Sequence, residues 1–250
     1  MQLAGQHLAD YISYLTKPSQ SVLFLIGKGN NGGDARIAAD RISDRKISLL
    51  PVEKAEDCLE DLVGFLAEKP ALIVDGLFGI GLNRNLDDKW VEFIAEINQS
   101  SARVLAVDCP SGINCDTGLI MGAAVQANFT LTFGAPKIGL IHDAAADYVG
   151  SIIVAPNIGL SNELPESQSY WLTNADMQSV SFSRAAASHK GSHGHASLVA
   201  GSTGYHGAAL LSAESALVAR PGLVSVFTHS YLPVACQIQS AMVHPLDKDC

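Results

Sequence analysis

The chain has 250 residues, 48% of them hydrophobic, and a formal charge of -9 at neutral pH. That length admits one large or two modest domains with a full core, and the charge excludes a basic nucleic-acid surface. Five cysteines (Cys58, Cys109, Cys115, Cys236, Cys250) are odd in number and lack C-x-x-C spacing, so they suggest neither a disulfide framework nor a zinc site and fit a reducing cytoplasm, while no apolar run is long enough for a membrane span.

Leu3, Leu8, Tyr11, Ile12 and Leu15 predict an amphipathic helix ahead of the first strand. Val22, Leu23, Phe24, Leu25 and Ile26 then form an apolar run that breaks into Gly27-Lys28-Gly29-Asn30-Asn31-Gly32-Gly33-Asp34, with a helix expected from Asp34 or Ala35 onward. A buried strand, a tight loop and a helix start make a site for an anionic or polar ligand. Glycines permit positive φ and close backbone approach, and the first N–H groups of a helix carry partial positive charge. Asp34 either caps that helix or faces the ligand. Gly27, Gly29 and Gly32 also satisfy G-x-G-x-x-G, with Glu53 placed where a dinucleotide fold keeps its ribose-binding acid. A phosphate loop ending G-K-[ST] is absent, and a turn serving geometry alone stays open.

Further strands are expected at 47–52, 71–74, 104–107, 129–133 and 152–154, and helices at 55–67 and 88–98. Alternating strands and helices imply a parallel sheet covered on both faces. The third strand runs into a second glycine loop, 75–85, and the fourth into Asp108-Cys109-Pro110-Ser111-Gly112. Three polar loops therefore share the carboxyl edge of one sheet, where pockets form. Asp75 and Asp108 read either as turn caps or, with Asn31 and Ser111, as hard oxygen donors suited to a hard cation rather than zinc. Lys137 either reaches that pocket or stays exposed, and Cys109 has no neighbouring histidine to activate it.

Residues 157–169 are polar, contain Pro165 and read as a linker. Beyond them come a strand at 195–199, a glycine loop at 201–207, a helix at 208–219, a strand at 223–228 and a polar tail from 240. His189, His193 and His195 span a glycine turn without an accompanying acid, so they are expected to satisfy a loop rather than hold a metal.

Taken together, GKGNNGGDARIAADRI, VDGLFGIGLNRNL, VDCPSGINCDTG and TFGAPKIGL resemble the YjeF N-terminal family, the NAD(P)H-hydrate epimerases. The resemblance implies a Rossmann-like domain that binds NADHX or NADPHX, nicotinamide cofactors hydrated at C6, and interconverts their R and S forms with a bound potassium ion. It assigns the substrate to Asn30, Asn31, Gly32, Gly33, Asp34, Gly79, Ile80, Gly81, Leu82, Asn83, Arg84, Asn85 and Asp108. Potassium goes to Asn31, Asp75 and Ser111. Asp108 is the candidate general acid or base, on chemical grounds.

The segment HKGSHGHASLVAGSTGYHGAALLSAESALVARPGLVSVFT resembles the opening of the ribokinase-like ATP- or ADP-dependent NAD(P)H-hydrate dehydratase, with Ala208 on its substrate wall. The expected organisation is an α/β chain: a Rossmann-like epimerase domain at 1–160, a linker at 161–169 and a partial ribokinase-like dehydratase segment at 170–250. ATP or ADP would serve only a complete dehydratase. The chain reads as cut at both ends, because the family carries a helical segment upstream; it also has Ala35 where the family usually has Gly. Expected partners are the small-molecule substrate and, in an oligomer, further copies of the chain. Two rival readings remain, an NAD-dependent dehydrogenase using Gly27, Gly29, Gly32 and Glu53, and a non-catalytic scaffold module of the YjeF type.

Overall fold

Every second residue of Ser21–Ile26 (β1) faces the same side of a sheet, and both sides are apolar, so this strand is buried from above and below. Val22, Phe24 and Ile26 meet Leu8 and Ile12 of Gln2–Leu15 (α1) and Ala35 and Ala38 of Asn30–Arg41 (α2). Leu23 and Leu25 meet Leu62 of Ala55–Ala67 (α3) and Phe93, Ile94 and Ile97 of Asp88–Gln99 (α4). The expected two-faced cover is thus present. Each such buried Val, Leu, Ile or Phe contributes about 1.5–3 kcal/mol.

The computed structural model describes residues 1–159, 170–179 and 183–246, and the chain divides into two units, Met1–Trp171 and Leu172–Cys250. In the first, Lys46–Pro51 (β2), β1, Leu72–Gly76 (β3), Arg103–Val107 (β4), Phe129–Phe133 (β5) and Ser151–Ala155 (β6) make one parallel sheet in the order β2-β1-β3-β4-β5-β6, with the short helix Ala146–Val149 (α5) leading into β6. The order turns at β1 and β3, which opens a crevice at their carboxyl ends. The expected linker, 161–169, lies outside the described residues.

Two local expectations are corrected. The helix after β1 starts at Asn30, four residues before Asp34, and none of Gly27, Gly29, Gly32 and Gly33 has positive φ. These glycines serve contact instead: a Cβ on Gly32 would stand 2.0 Å from the Gly27 carbonyl oxygen, and one on Gly27 would stand 2.0 Å from that of Leu77. Only bare backbone lets the first turn of α2 settle on the strand end. Asp75, expected in a turn, is instead a paired residue of β3, opposite Leu25 and Ala106, because the next loops satisfy its carboxylate.

The second unit is a parallel sheet of His195–Val199 (β7), Leu223–Thr228 (β8) and Met242–Pro245 (β9), in that order. Ala209 and Ala213 of His206–Val218 (α6), and Val234 of Tyr231–Ala235 (α7), pack with Val224 and Val226 into a small core. The expected polar tail therefore contains a strand, which continues the β8 ladder through Val226–Val243 pairing.

Candidate active site

A cleft of about 910 Å³ opens where β1 and β3 part. Gly27, Lys28, Gly29, Asn30 and Asn31 form one wall, and the whole loop from Leu77 to Asp87 forms the other, closed by Val52, Glu53 and Trp90. Gly79, Ile80, Gly81, Leu82, Asn83, Arg84 and Asn85 thus line a single cleft with Asn30 and Asn31, whereas Gly32, Gly33 and Asp34 lie outside its lining, in the following turn of α2. Because α2 has no side-chain N-cap, its first N–H groups are left for a ligand or water. Trp90 is fixed at the opposite wall, since the Asp87 carboxylate caps α4 and the indole packs edge-on against Phe78 with centroids 4.6 Å apart.

Beneath this cleft is a buried cluster of oxygen donors. Asn31, 8% exposed, donates through Nδ2 to the carbonyls of Phe78 (2.8 Å) and Val107 (2.6 Å). Those two acceptors fix the amide orientation and leave Oδ1 as its acceptor. Asp75 is fully buried and accepts from Ser111 Oγ at 2.6 Å, Ser111 N–H at 2.8 Å and Leu77 N–H at 3.3 Å. Ser111 Oγ also accepts from Phe78 N–H at 2.9 Å. Burial pushes the Asp75 carboxyl up to about 6, and the bonds from Ser111 and Leu77 only partly oppose it. Among the described residues no cation pairs with it. Asn31, Asp75 and Ser111, far apart in sequence, are therefore one connected group.

Asp108 follows β4 in the left-handed region, at φ +64, in a turn closed by Cys109 N–H to Val107 O at 2.7 Å. Such a conformation is strained for a residue with a side chain, and aspartate tolerates it better than most. Its Oδ1 collects three donors: Phe133 N–H at 3.0 Å, Thr132 Oγ at 3.2 Å and the Lys137 ammonium. Lys137 also donates to Thr132 Oγ1 and the Phe133 carbonyl, both at 2.9 Å, and only 21% of its side chain is exposed. None of these bonds uses Asp108 Oδ2.

Asp34 sits one turn beyond Asn31 and is 6% exposed, with Oδ1 buried and lacking a hydrogen-bond partner; the amino group of Met1 lies 3.9 Å away. Burial, with a further push from the Asp108 carboxylate, raises the Asp34 carboxyl to about 6, against the pull of that amino group. Cys109 is buried against Cys115, and that thiol contact and burial push its own thiol up, so it is no nucleophile.

Other sequence-derived candidates separate from this group. Ala208 lines a different cavity, of about 360 Å³, beside Gly201, Ser202 and Tyr205 in the second unit. His189 accepts from Gly191 N–H, His193 meets Ser188 Oγ and His195 meets Ser225 Oγ, so the three imidazoles serve three separate partners. Gly32 packs on Gly27 rather than facing the cleft, which removes one glycine of the G-x-G-x-x-G reading from any ligand. Lys137 and Thr132 both bond to Asp108, although sequence left the lysine open; it showed the lysine just after a strand but not that this strand lies beside β4.

The model for YjeF-related protein N-terminus matches residues 1–63 and 50–139. The NAD(P)H-hydrate epimerase of Limosilactobacillus fermentum is 33% identical over 177 residues, covering 64% of this chain and 85% of that protein. The bifunctional NAD(P)H-hydrate repair enzyme Nnr of Dictyoglomus turgidum is 35% identical over 230 residues, or 82% of this chain and 45% of that protein. That of Coxiella burnetii is 34% identical, at 86% and 49%. The chain spans about half the length of these bifunctional relatives.

Proposed function

Because the chain belongs to the YjeF-related N-terminal family, we propose that its first unit epimerises the R and S forms of NADHX and NADPHX in nicotinamide cofactor repair. The observation that carries the reading is the joining of the cleft, the buried Asn31–Asp75–Ser111 group and Asp108 at three adjoining strand ends. In the same reading residues 1–160 are the epimerase domain, 161–169 a linker and 170–250 part of an NAD(P)HX dehydratase. The cavity beside Ala208 would be a fragment of its substrate wall, and ATP or ADP its co-substrate only in a complete domain. Buried free thiols at Cys109 and Cys115 accord with a reducing, cytoplasmic setting.

The buried group fits potassium. With Nδ2 engaged by two carbonyls, Asn31 Oδ1 is the amide's acceptor, and the amide packs so closely on Gly79 that a Cβ there would stand 2.6 Å from that oxygen. Asp75 is an unpaired carboxylate in a fully buried place, where a monovalent cation offsets its desolvation. Asn31, Asp75 and Ser111 would hold the ion, which supplies fixed positive charge near the substrate.

At C6 of the hydrated cofactor a hydroxyl shares its carbon with the ring nitrogen. Inversion needs no redox step. The C6–O bond breaks as the nitrogen lone pair moves in and the departing oxygen takes a proton; water then returns to the other face of the planar carbon and gives one up. Asp108 is the group for both transfers, through Oδ2, because Lys137, Thr132 and Phe133 N–H hold Oδ1 and so fix the carboxyl. The turn at Asp108 sets it off the strand end. Asn30, the α2 amides and the 79–85 loop would orient the dinucleotide in the cleft.

The test is chromatography of separated NADHX epimers incubated with the chain, with potassium or with tetramethylammonium. Potassium-dependent interconversion is expected above the uncatalysed rate; interconversion no faster than in buffer would overturn the reading.

A further inference from the structure

Asp108 is not part of the cleft lining, and the cleft extends from Asn31 to the residues that follow β2. Lys28 follows β1 and Glu53 follows β2, both line the cleft, and their Nζ and Oε2 are 3.0 Å apart. From β4, which carries Asp108, to β2 is three steps across the sheet, about 14 Å at about 4.8 Å per strand. This inference rests on the epimerase reading, which puts the ring to be inverted at Asp108. A dinucleotide laid from there across the ends of β3 and β1 brings its adenosine ribose to β2. Val52, next to Glu53, and across the cleft Phe78 and Trp90 give the lining an apolar and aromatic surface suited to a purine.

We propose that Lys28 and Glu53 form the subsite that reads the 2′ position of the adenosine ribose. Glu53 accepts from a 2′-hydroxyl, the role an acid at the end of a second strand has in dinucleotide folds. Lys28 binds a 2′-phosphate as a point charge. In the free protein the two neutralise each other, and their side chains are 65% and 75% exposed, so an anion parts them readily. Glu53 then repels the phosphate that Lys28 attracts. The pair thus tunes NADHX against NADPHX without touching the reacting ring.

Calorimetry with AMP and adenosine 2′,5′-bisphosphate tests this without turnover, on the full chain and on Lys28→Gln and Glu53→Gln, both at exposed positions that leave the core untouched. Lys28→Gln should weaken the bisphosphate about tenfold relative to AMP, and Glu53→Gln should strengthen it by about threefold or more. Ratios within about twofold of the parent in both variants, or a parent that binds neither nucleotide at millimolar concentration, would overturn the proposal. Where the nucleotide ratios shift as expected but no epimer interconverts, the subsite stands and the epimerase reading falls.

Discussion

Asp75→Asn is the substitution that bears most directly on the buried oxygen cluster. In the fold its carboxyl titrates at about 6, against an ordinary value of 3.8, because it is fully buried. About two units at about 1.4 kcal/mol each make roughly 3 kcal/mol, the cost of keeping it ionised at neutral pH. The folded pKa is raised, so between pH about 4 and about 6 the folded chain holds a proton that the unfolded chain has lost. Stability is therefore greatest below this window, falls as pH rises through it, and levels above. On the proposed reading potassium would bind the ionised form, and it should then abolish most of that fall. The assay is urea denaturation at several pH values, in potassium or tetramethylammonium chloride at equal ionic strength, followed by Trp90 fluorescence in a Trp171→Phe background, which leaves one reporter, inside the first unit. Asp34, also raised to about 6, adds a slope of the same sign. The decisive quantity is consequently the difference between parent and Asp75→Asn: the variant should lose about 3 kcal/mol of pH dependence together with the potassium response. Equal slopes and equal potassium responses in the two proteins would refute the reasoning.

Asp108→Asn keeps a side chain that tolerates φ +64 and should lower epimerisation by about a hundredfold with little loss of nucleotide binding, and Lys137→Met should lower kcat more than it raises KM. Steady-state rates on separated epimers check both, and turnover unchanged in Asp108→Asn would move the proton transfers elsewhere. Gly32→Ala sets two rules against each other: helix propensity favours alanine by about 1 kcal/mol, but its Cβ would stand 2.0 Å from the Gly27 carbonyl. The contact should win, with a net loss of about 2 kcal/mol or more in the same Trp90 measurement.

Elements whose physics is carried by their own side chains were legible. The apolar run of β1 and the helical spacing of Leu59, Leu62 and Leu66 in α3 needed nothing from elsewhere in the chain. That Asn31, Asp75, Asp108 and Ser111 come near one another was legible because each stands at or beside a strand end, and parallel strands share one edge. What escaped was set by contacts distant in sequence. The first turn of α2, made of Asn and Gly, has poor helix propensity and exists because it closes on Gly27 and hangs Asn31 from Phe78 and Val107. β9 is four residues including a proline and a histidine, and becomes a strand only through the free edge of β8. The Asp108–Lys137 pair needed β5 to lie beside β4, which residue spacing does not disclose.

Asn31 ties the separate parts of the site together. It lines the cleft at the start of α2, its Nδ2 holds the carbonyl of Val107, the residue before Asp108, and its amide packs against Gly79, leaving Oδ1 as the acceptor. An ion held at that oxygen therefore bears on the turn that aims Asp108 as well as on the local charge. Potassium dependence would then appear in the chemical step and not only in binding, because the amide that would ligate the ion also fixes the strand end from which the acid projects.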